Sequence, residues 1–361
     1  MRTKKVSQVL VQAILNRDSL MFIGDPGVGK SEIVDQAVSF IERGFADGSI
    51  PQPYWIKTKA IKSLFIHAVI SDPTDAKGLP FVVVSKEGKS EAVFLPFGDL
   101  LEMINANYLL VVVLDDFGQA PALVQASFMQ IVRARRINGH TISDGVVFVA
   151  CTNKRGDNAG VQGILEPMKD RFMSLINVES HWQDWCEWAT LSARVKPEVI
   201  AYHRWCGNND KDKNHLSNFR PTREMTRSPS PRAWEYMSDI LSHGYPLDCL
   251  REMFAGAVGE EEGNAFHSFL SQYRDLVHPD VILSNPEQAD IPTNPSVLWS
   301  VLTALVARVN SKTFPAISIY AGRLAPEWSV FLMTDCARKD STIKKTKPFV
   351  EWSIKHSDVQ I

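Results

Sequence analysis

The run Gly24-Asp-Pro-Gly-Val-Gly-Lys30-Ser31 fits the spacing G-x-x-x-x-G-K-[ST], which grips phosphate. Its glycines let the backbone curl until several N–H groups face one anion, and a following helix adds positive potential from its N-terminus. Within Gly24, Asp25, Pro26, Gly27, Val28, Gly29, Lys30, Ser31 and Glu32, the Lys30 ammonium is expected to reach the outer phosphates. The Ser31 hydroxyl is expected to ligate Mg²⁺. A β-rich run precedes the loop and a helical pattern follows it, the context this chemistry requires.

Binding a phosphate is not cleaving it. Hydrolysis needs a carboxylate that holds the metal and a group that positions water. Leu109-Leu-Val-Val-Val-Leu-Asp115-Asp116 supplies a buried strand ending in two acids. Side chains alternate along a strand, so the two carboxylates diverge and can take different jobs. Asp115 is expected in the Mg²⁺ shell, with Asp116 facing the attacking water.

A parallel sheet with helices packed on it would hold these groups, and residues 5–180 alternate short β-rich runs with helical patterns accordingly. The expected strands are Leu20–Ile23, Tyr54–Lys57, Leu109–Asp115, Val146–Cys151 and Leu175–Val178. Ile33, Val34, Ala37, Val38 and Ile41 mark one stripe of a helix, with Gly44 as its stop. Lys86-Glu-Gly-Lys-Ser90, between Phe81–Val84 and Ala92–Leu95, reads as a hairpin too exposed to join the main sheet. Past residue 181 helices dominate. Pro197 opens one ended by Gly207, Pro231 opens another ended near Gly244, and 208–230 reads as a polar loop. Val297, Leu298, Val301, Leu302, Leu305 and Val306 trace a further helix, followed by one over 326–338. The expected domains are therefore an α/β unit over 1–180 with a hairpin insert at about 72–96, a helical unit over 181–275 and a helical extension over 276–361.

Composition sets the outer bounds. The chain has 361 residues, 45% hydrophobic and 22% charged, enough apolar content to outweigh chain entropy and exclude disorder. Its 39 basic and 41 acidic side chains give a net charge of −2, which excludes a generally basic nucleic-acid coat but not a local basic groove. Five cysteines form no CxxC pair, a pattern expected of reduced thiols in a cytoplasmic protein. The longest purely apolar run, Tyr108 to Leu114, suits a buried strand and not a bilayer helix, so no membrane partner is expected.

With these residues in place the chain resembles the AAA+ ATPases and, within them, the MoxR-like branch. The resemblance rests on five motifs in order over about residues 5–275: the Walker A match and the stretch Asp115-Asp-Phe-Gly-Gln-Ala-Pro121 with Val124-Gln-Ala-Ser-Phe-Met-Gln130, similar to a Walker B segment and its helix; Val147-Phe-Val-Ala-Cys-Thr-Asn153, similar to a sensor 1 strand; Glu166-Pro-Met-Lys-Asp-Arg171-Phe172, similar to an arginine-finger segment; and Ser230-Pro-Arg232-Ala233, similar to a sensor 2 helix start. It implies an α/β P-loop NTPase fold with helices on both faces of the sheet, then an α-helical lid. It also implies ATP and Mg²⁺ as cofactors, Asn153 beside the γ-phosphate, and Arg171 serving a neighbouring copy in a ring, hexameric in this family. Arg232 would couple the lid to the nucleotide. The partner implied is a protein substrate, and a separate von Willebrand factor A domain protein is the type associated with this branch. The 72–96 insert would face the pore or that partner. One departure stands out: the family normally has Glu where this chain has Asp116, one methylene shorter, and about 1 Å of misplacement costs about 10²-fold in rate. Slow hydrolysis, or a switch that binds ATP and rarely cleaves it, is an alternative on that ground.

Other signals have plainer readings. Trp182, Trp185 and Trp188 share a helix stripe that suits core packing better than base stacking. Cys186, His203 and Cys206 lack the spacing and the fourth ligand of a zinc site. Arg133, Arg135, Arg136, Lys154 and Arg155 have three open readings: contacts to nucleic acid in a channel, contacts to a neighbour's ATP, or solvated side chains. The first underlies a second alternative, a nucleic-acid-directed motor or loader.

Overall fold

The computed structural model describes residues 1–84, 88–154, 163–210, 213–220, 225–273 and 278–356. The chain forms two units, Met1–Glu179 with Phe219–Arg223, and Ser180–Asn218 with Glu224–Ile361. In the first unit the strands are β1 (Leu20–Ile23), β2 (Ile61–His67), β3 (Leu79–Val84), β4 (Ser90–Leu95), β5 (Leu109–Asp115), β6 (Arg136–Ile137), β7 (His140–Thr141), β8 (Val146–Thr152) and β9 (Ser174–Asn177). Its helices are α1 (Thr3–Asn16), α2 (Lys30–Asp47), α3 (Pro73–Lys77), α4 (Gly98–Asn105), α5 (Ala122–Ala134) and α6 (Glu166–Lys169).

Five strands pair in parallel in the order β2-β5-β8-β1-β9. Alternation along these strands makes two cores. Val111 and Val113 of β5, with Val147 and Val149 of β8, pack under α1 and α2 on one face. Leu110, Val112 and Leu114, with Phe148 and Ala150, pack under α3, α4, α5 and α6 on the other. The P-loop NTPase α/β fold with helices on both faces is therefore the one the chain adopts.

Four of the five expected strands fall where the sequence put them, within a residue. Tyr54–Lys57 does not: it is a loop, and the strand lies at Ile61–His67. Tyr54 is fully exposed, and only Ile56 of that run is buried. The true strand is an edge strand paired with β5 alone, so its mixed sequence, with Lys62 and Ser63 inside it, lacks the continuous apolar run of a central one. Gly44 does not stop α2 either, because the helix runs to Asp47 and caps at Gly48. A Cβ on Gly44 would lie 2.4 Å from the Ile50 side chain, so this glycine permits close packing instead. Strands β3 and β4 form their own two-stranded sheet, exposed as expected, with Phe81, Val82 and Val84 each 60% or more accessible. Residues 85–87 of its turn lie outside the described residues.

The second unit is helical: α7 (Trp182–Ser192), α8 (Pro197–Asn209), α9 (Pro231–Ser242), α10 (Leu250–Val258), α11 (Glu260–Tyr273), α12 (Pro279–Ser284), α13 (Pro295–Ala307), α14 (Phe314–Ala321), α15 (Pro326–Lys339) and α16 (Lys347–Lys355). Helix α8 continues through Gly207, which packs against the Trp182 ring and does not end it. Trp185 is buried in one core of this unit, with Trp182 and Trp188 packed against it. A second core gathers α12 to α16. Arg204 of α8 joins the two: it pairs with Asp335 of α15 and donates to Thr303 of α13 at 3.1 Å and Thr190 of α7 at 3.2 Å. Among the described residues no helix is long and apolar enough to cross a membrane.

His203 gives this unit an acid-sensitive core. Its ring lies 4.3 Å from Trp234 and 5.0 Å from Trp185, and neither nitrogen has a hydrogen-bond partner. Burial holds its pKa down to about 3, although Glu262 pulls the other way and His215 adds repulsion. Burial pushes Glu262 up, but hydrogen bonds from His215, Lys213 and Tyr202 outweigh it and leave the carboxyl at about 2. Both folded values lie below the unfolded ones, near 6.5 for His and 4.5 for Glu. The unfolded chain therefore takes up protons first, and stability present at neutral pH is lost as pH falls through these windows. The unfolding midpoint should drop from pH 7 to pH 4, and His203→Phe should flatten the upper part of that drop. A flat wild-type midpoint over this range, followed by scanning calorimetry, would contradict it.

Candidate functional site

The phosphate loop leaves β1 at Ile23 and opens α2 at Lys30. Gly27 and Gly29 have φ of 74° and 94°, the left-handed region in which a side chain is strained. Gly24 is required for a different reason: a Cβ there would meet the Val178 carbonyl oxygen at 2.9 Å. Val28 is buried in the α1–α2 core and anchors the loop from beneath.

Lys30 is 7% exposed, and its Nζ donates to Gly24 O at 2.8 Å, Asp25 O at 3.1 Å and Asn153 Oδ1 at 2.8 Å. Burial lowers its pKa, against the pull of nearby carboxylates at Asp116, Asp115 and Asp25. Ser31 Oγ donates to Asp115 Oδ2 at 3.2 Å. Parity explains both meetings. Asp115 follows Val111 and Val113 on the α2 side of β5, and Asn153 follows Val149 and Cys151 on the α2 side of β8. Asp116 steps out of the strand with φ 50°, an uncommon conformation for a non-glycine residue. Its Oδ1 accepts from Asn153 Nδ2 at 3.5 Å.

Lys30, Ser31, Asp115, Asp116 and Asn153 thus meet at the C-terminal ends of β1, β5 and β8, where open parallel sheets bind ligands. The donor set fits a magnesium-bound triphosphate. Ser31 and Asp115 offer two hard oxygens side by side, and the Lys30 ammonium lies within the curl of the loop. Glu32 accepts from Gln36 at 3.2 Å on α2. Asp25 is held by Lys154 at 2.6 Å, so of the basic cluster Lys154 lies against the phosphate loop. Arg135 instead donates to the Val146 carbonyl at 3.1 Å and to that of Ser143, with burial lowering its pKa to about 10. Arg133 and Arg136 are exposed, and Arg155 lies outside the described residues.

Arg171 is not part of this cluster. Register pairs Leu20 with Ser174, so Arg171 lies at the N-terminal end of the sheet, opposite the phosphate loop. Its Nη1 donates to Pro167 O at 2.6 Å. Arg232 belongs to the second unit, exposed in the first turn of α9, whose start is capped by Ser230 accepting from Ala233 N at 3.2 Å. Cys186 and Cys206 are buried thiols whose pKa burial pushes up to about 12, and among the described residues no three His, Cys, Asp or Glu side chains are placed to hold a metal.

The sequence reading gave no role to Gln125, which is 1% exposed and bonded to three backbone groups. Its signal was there: a glutamine on the apolar face of α5, between Val124 and Phe128.

No protein-family model matches the chain, and no curated protein does. Among solved structures it is similar to a Cytophaga hutchinsonii protein with a proposed ATPase activity, at 11% identity over 99% of this chain and 89% of that one, with a TM-score of 0.34. It is also similar to a point mutant of RuvB from Thermotoga maritima, at 11% identity over 98% and 87%, with a TM-score of 0.34. A third similar structure is C. elegans PCH-2, at 12% identity over 75% and 66%, with a TM-score of 0.33. At these values the likenesses add nothing to what the strand order and the phosphate loop establish about the fold.

Proposed function

We propose that the chain is a Mg²⁺-dependent ATPase of the AAA+ type, of the MoxR-like branch, that works as a ring and remodels or regulates a protein partner. One observation carries the ATPase reading: Lys30, the Ser31–Asp115 pair and Asn153 converge on the curl of one glycine loop. Magnesium, when bound, supplies charge neutralisation across the outer phosphates. Lys30 exchanges its carbonyl partners for phosphate oxygens. Asp116, beside Asn153, orients the attacking water and takes its proton, while Asn153 holds the γ-phosphate end in line. Arg171 serves the site of the next copy, which makes the ring part of the chemistry. Helices over 181–275 act as the lid, with Arg232 as its sensor 2 residue, and 276–361 extend it. The exposed β3–β4 hairpin offers an apolar surface to the partner, for which a separate von Willebrand factor A domain protein is the leading type.

Phosphate release at protein concentrations where rings form tests this. Wild type should release phosphate from Mg·ATP, and Asp116→Ala should bind ATP yet turn over about 10²-fold more slowly. Equal, negligible release by both would favour a non-hydrolysing switch, the reading that the short Asp116 side chain supports.

A further inference from the structure

We infer that Gln125 is a positioning residue that straps the acid-pair turn to the Arg171 segment, so that one buried amide links a copy's own nucleotide site to the finger it lends its neighbour. The inference rests on the shared-site reading above. Gln125 Nε2 donates to Ala120 O at 3.0 Å and Gly163 O at 2.9 Å, and its Oε1 accepts from Leu165 N at 3.0 Å. A glutamine amide has two donors, and here both are used on two separate stretches of chain.

Each stretch leads to a functional group. Ala120 ends the turn that begins at Asp116, closed by Gln119 N donating to Asp116 O at 2.9 Å. Gly163 N donates to Gly118 O of the same turn at 3.2 Å, so the two stretches are also tied directly. Leu165 starts α6, with Met168 N donating to its carbonyl at 2.8 Å. Arg171 rests on that helix through its backbone N to Met168 O at 3.1 Å and its guanidinium to Pro167 O. Met168 and Phe172 are buried, which fixes α6 from below. A shift of Asp116 when the γ-phosphate leaves would therefore reach Arg171 through hydrogen-bonded contacts that run through one buried amide.

A mixing experiment separates this role from mere packing. Gln125→Met keeps the side-chain length and removes every hydrogen bond; Gln125→Glu keeps the acceptor to Leu165 and loses both donors. The second variant carries the test if the first does not fold. Either variant should bind Mg·ATP with wild-type affinity and assemble normally, with kcat about 10²-fold lower at unchanged KM, the cost of about 1 Å of misplacement. Mixed with Asp116→Asn chains, which hydrolyse about 10²-fold more slowly but carry a sound Arg171, it should regain turnover well above the sum of the two alone. Arg171→Ala mixed with Asp116→Asn is the control. Gain in the control without gain for the Gln125 variants, or full kcat in those variants alone, overturns the strap. No gain in the control overturns the shared site itself, and the strap with it.

Discussion

Lys30→Ala should lose Mg·ATP affinity by about 10²-fold, since removing one partner of a buried, charge-assisted contact costs about 3 kcal/mol. The physical reason is the state of the ammonium. Its three N–H donors are occupied by Gly24 O, Asp25 O and Asn153 Oδ1, and its charge is held away from water. A triphosphate offers those donors far better acceptors, so the exchange is favourable without reorganising the loop. The fold should survive, because burying an ammonium costs about as much as its neutral partners return. Titration calorimetry with Mg·ATP, together with the unfolding midpoint, checks both halves. Wild-type affinity in a folded variant would remove Lys30 from the site.

Arg171→Ala should leave affinity unchanged and cut kcat by about 10³-fold or more, the worth of an arginine finger. The register argues that such an effect would be exerted on another copy. β1 spans four residues, about 13 Å of strand, and Arg171 lies at the end away from the phosphate loop. Single-turnover phosphate release, measured with nucleotide saturating, reads the loss. Full turnover in the variant would leave Arg171 a surface residue resting on Pro167.

The chain itself determined more of the chemistry than of the frame. The glycine loop, β1 and β5 were legible because each is a local pattern: spaced glycines before a helical stripe, and a continuous apolar run before two acids. Strand parity likewise puts Asp115 on the face of β5 that α2 covers, the side from which Ser31 reaches it. The edge strand β2 was misread because a strand covered by one neighbour tolerates Lys62 and Ser63, which blurs its period. Gly44 and Gly207 were misread for a related reason, since a glycine that admits Ile50 or the Trp182 ring has the same letter as one that ends a helix.

Three features were decided only by the folded chain. Asn153 reaches Lys30 across 123 residues of sequence because β8 lies next to β1 in the sheet, and sheet order is not written in either strand. Gln125 acquires two of its three partners from a segment about 40 residues away, so its role depends on which chain packs over α5. Arg171 is placed at the far end of the sheet by the pairing of β9 with β1. Local sequence fixes which groups a segment carries and which face they share; long-range pairing alone fixes which of those faces meet.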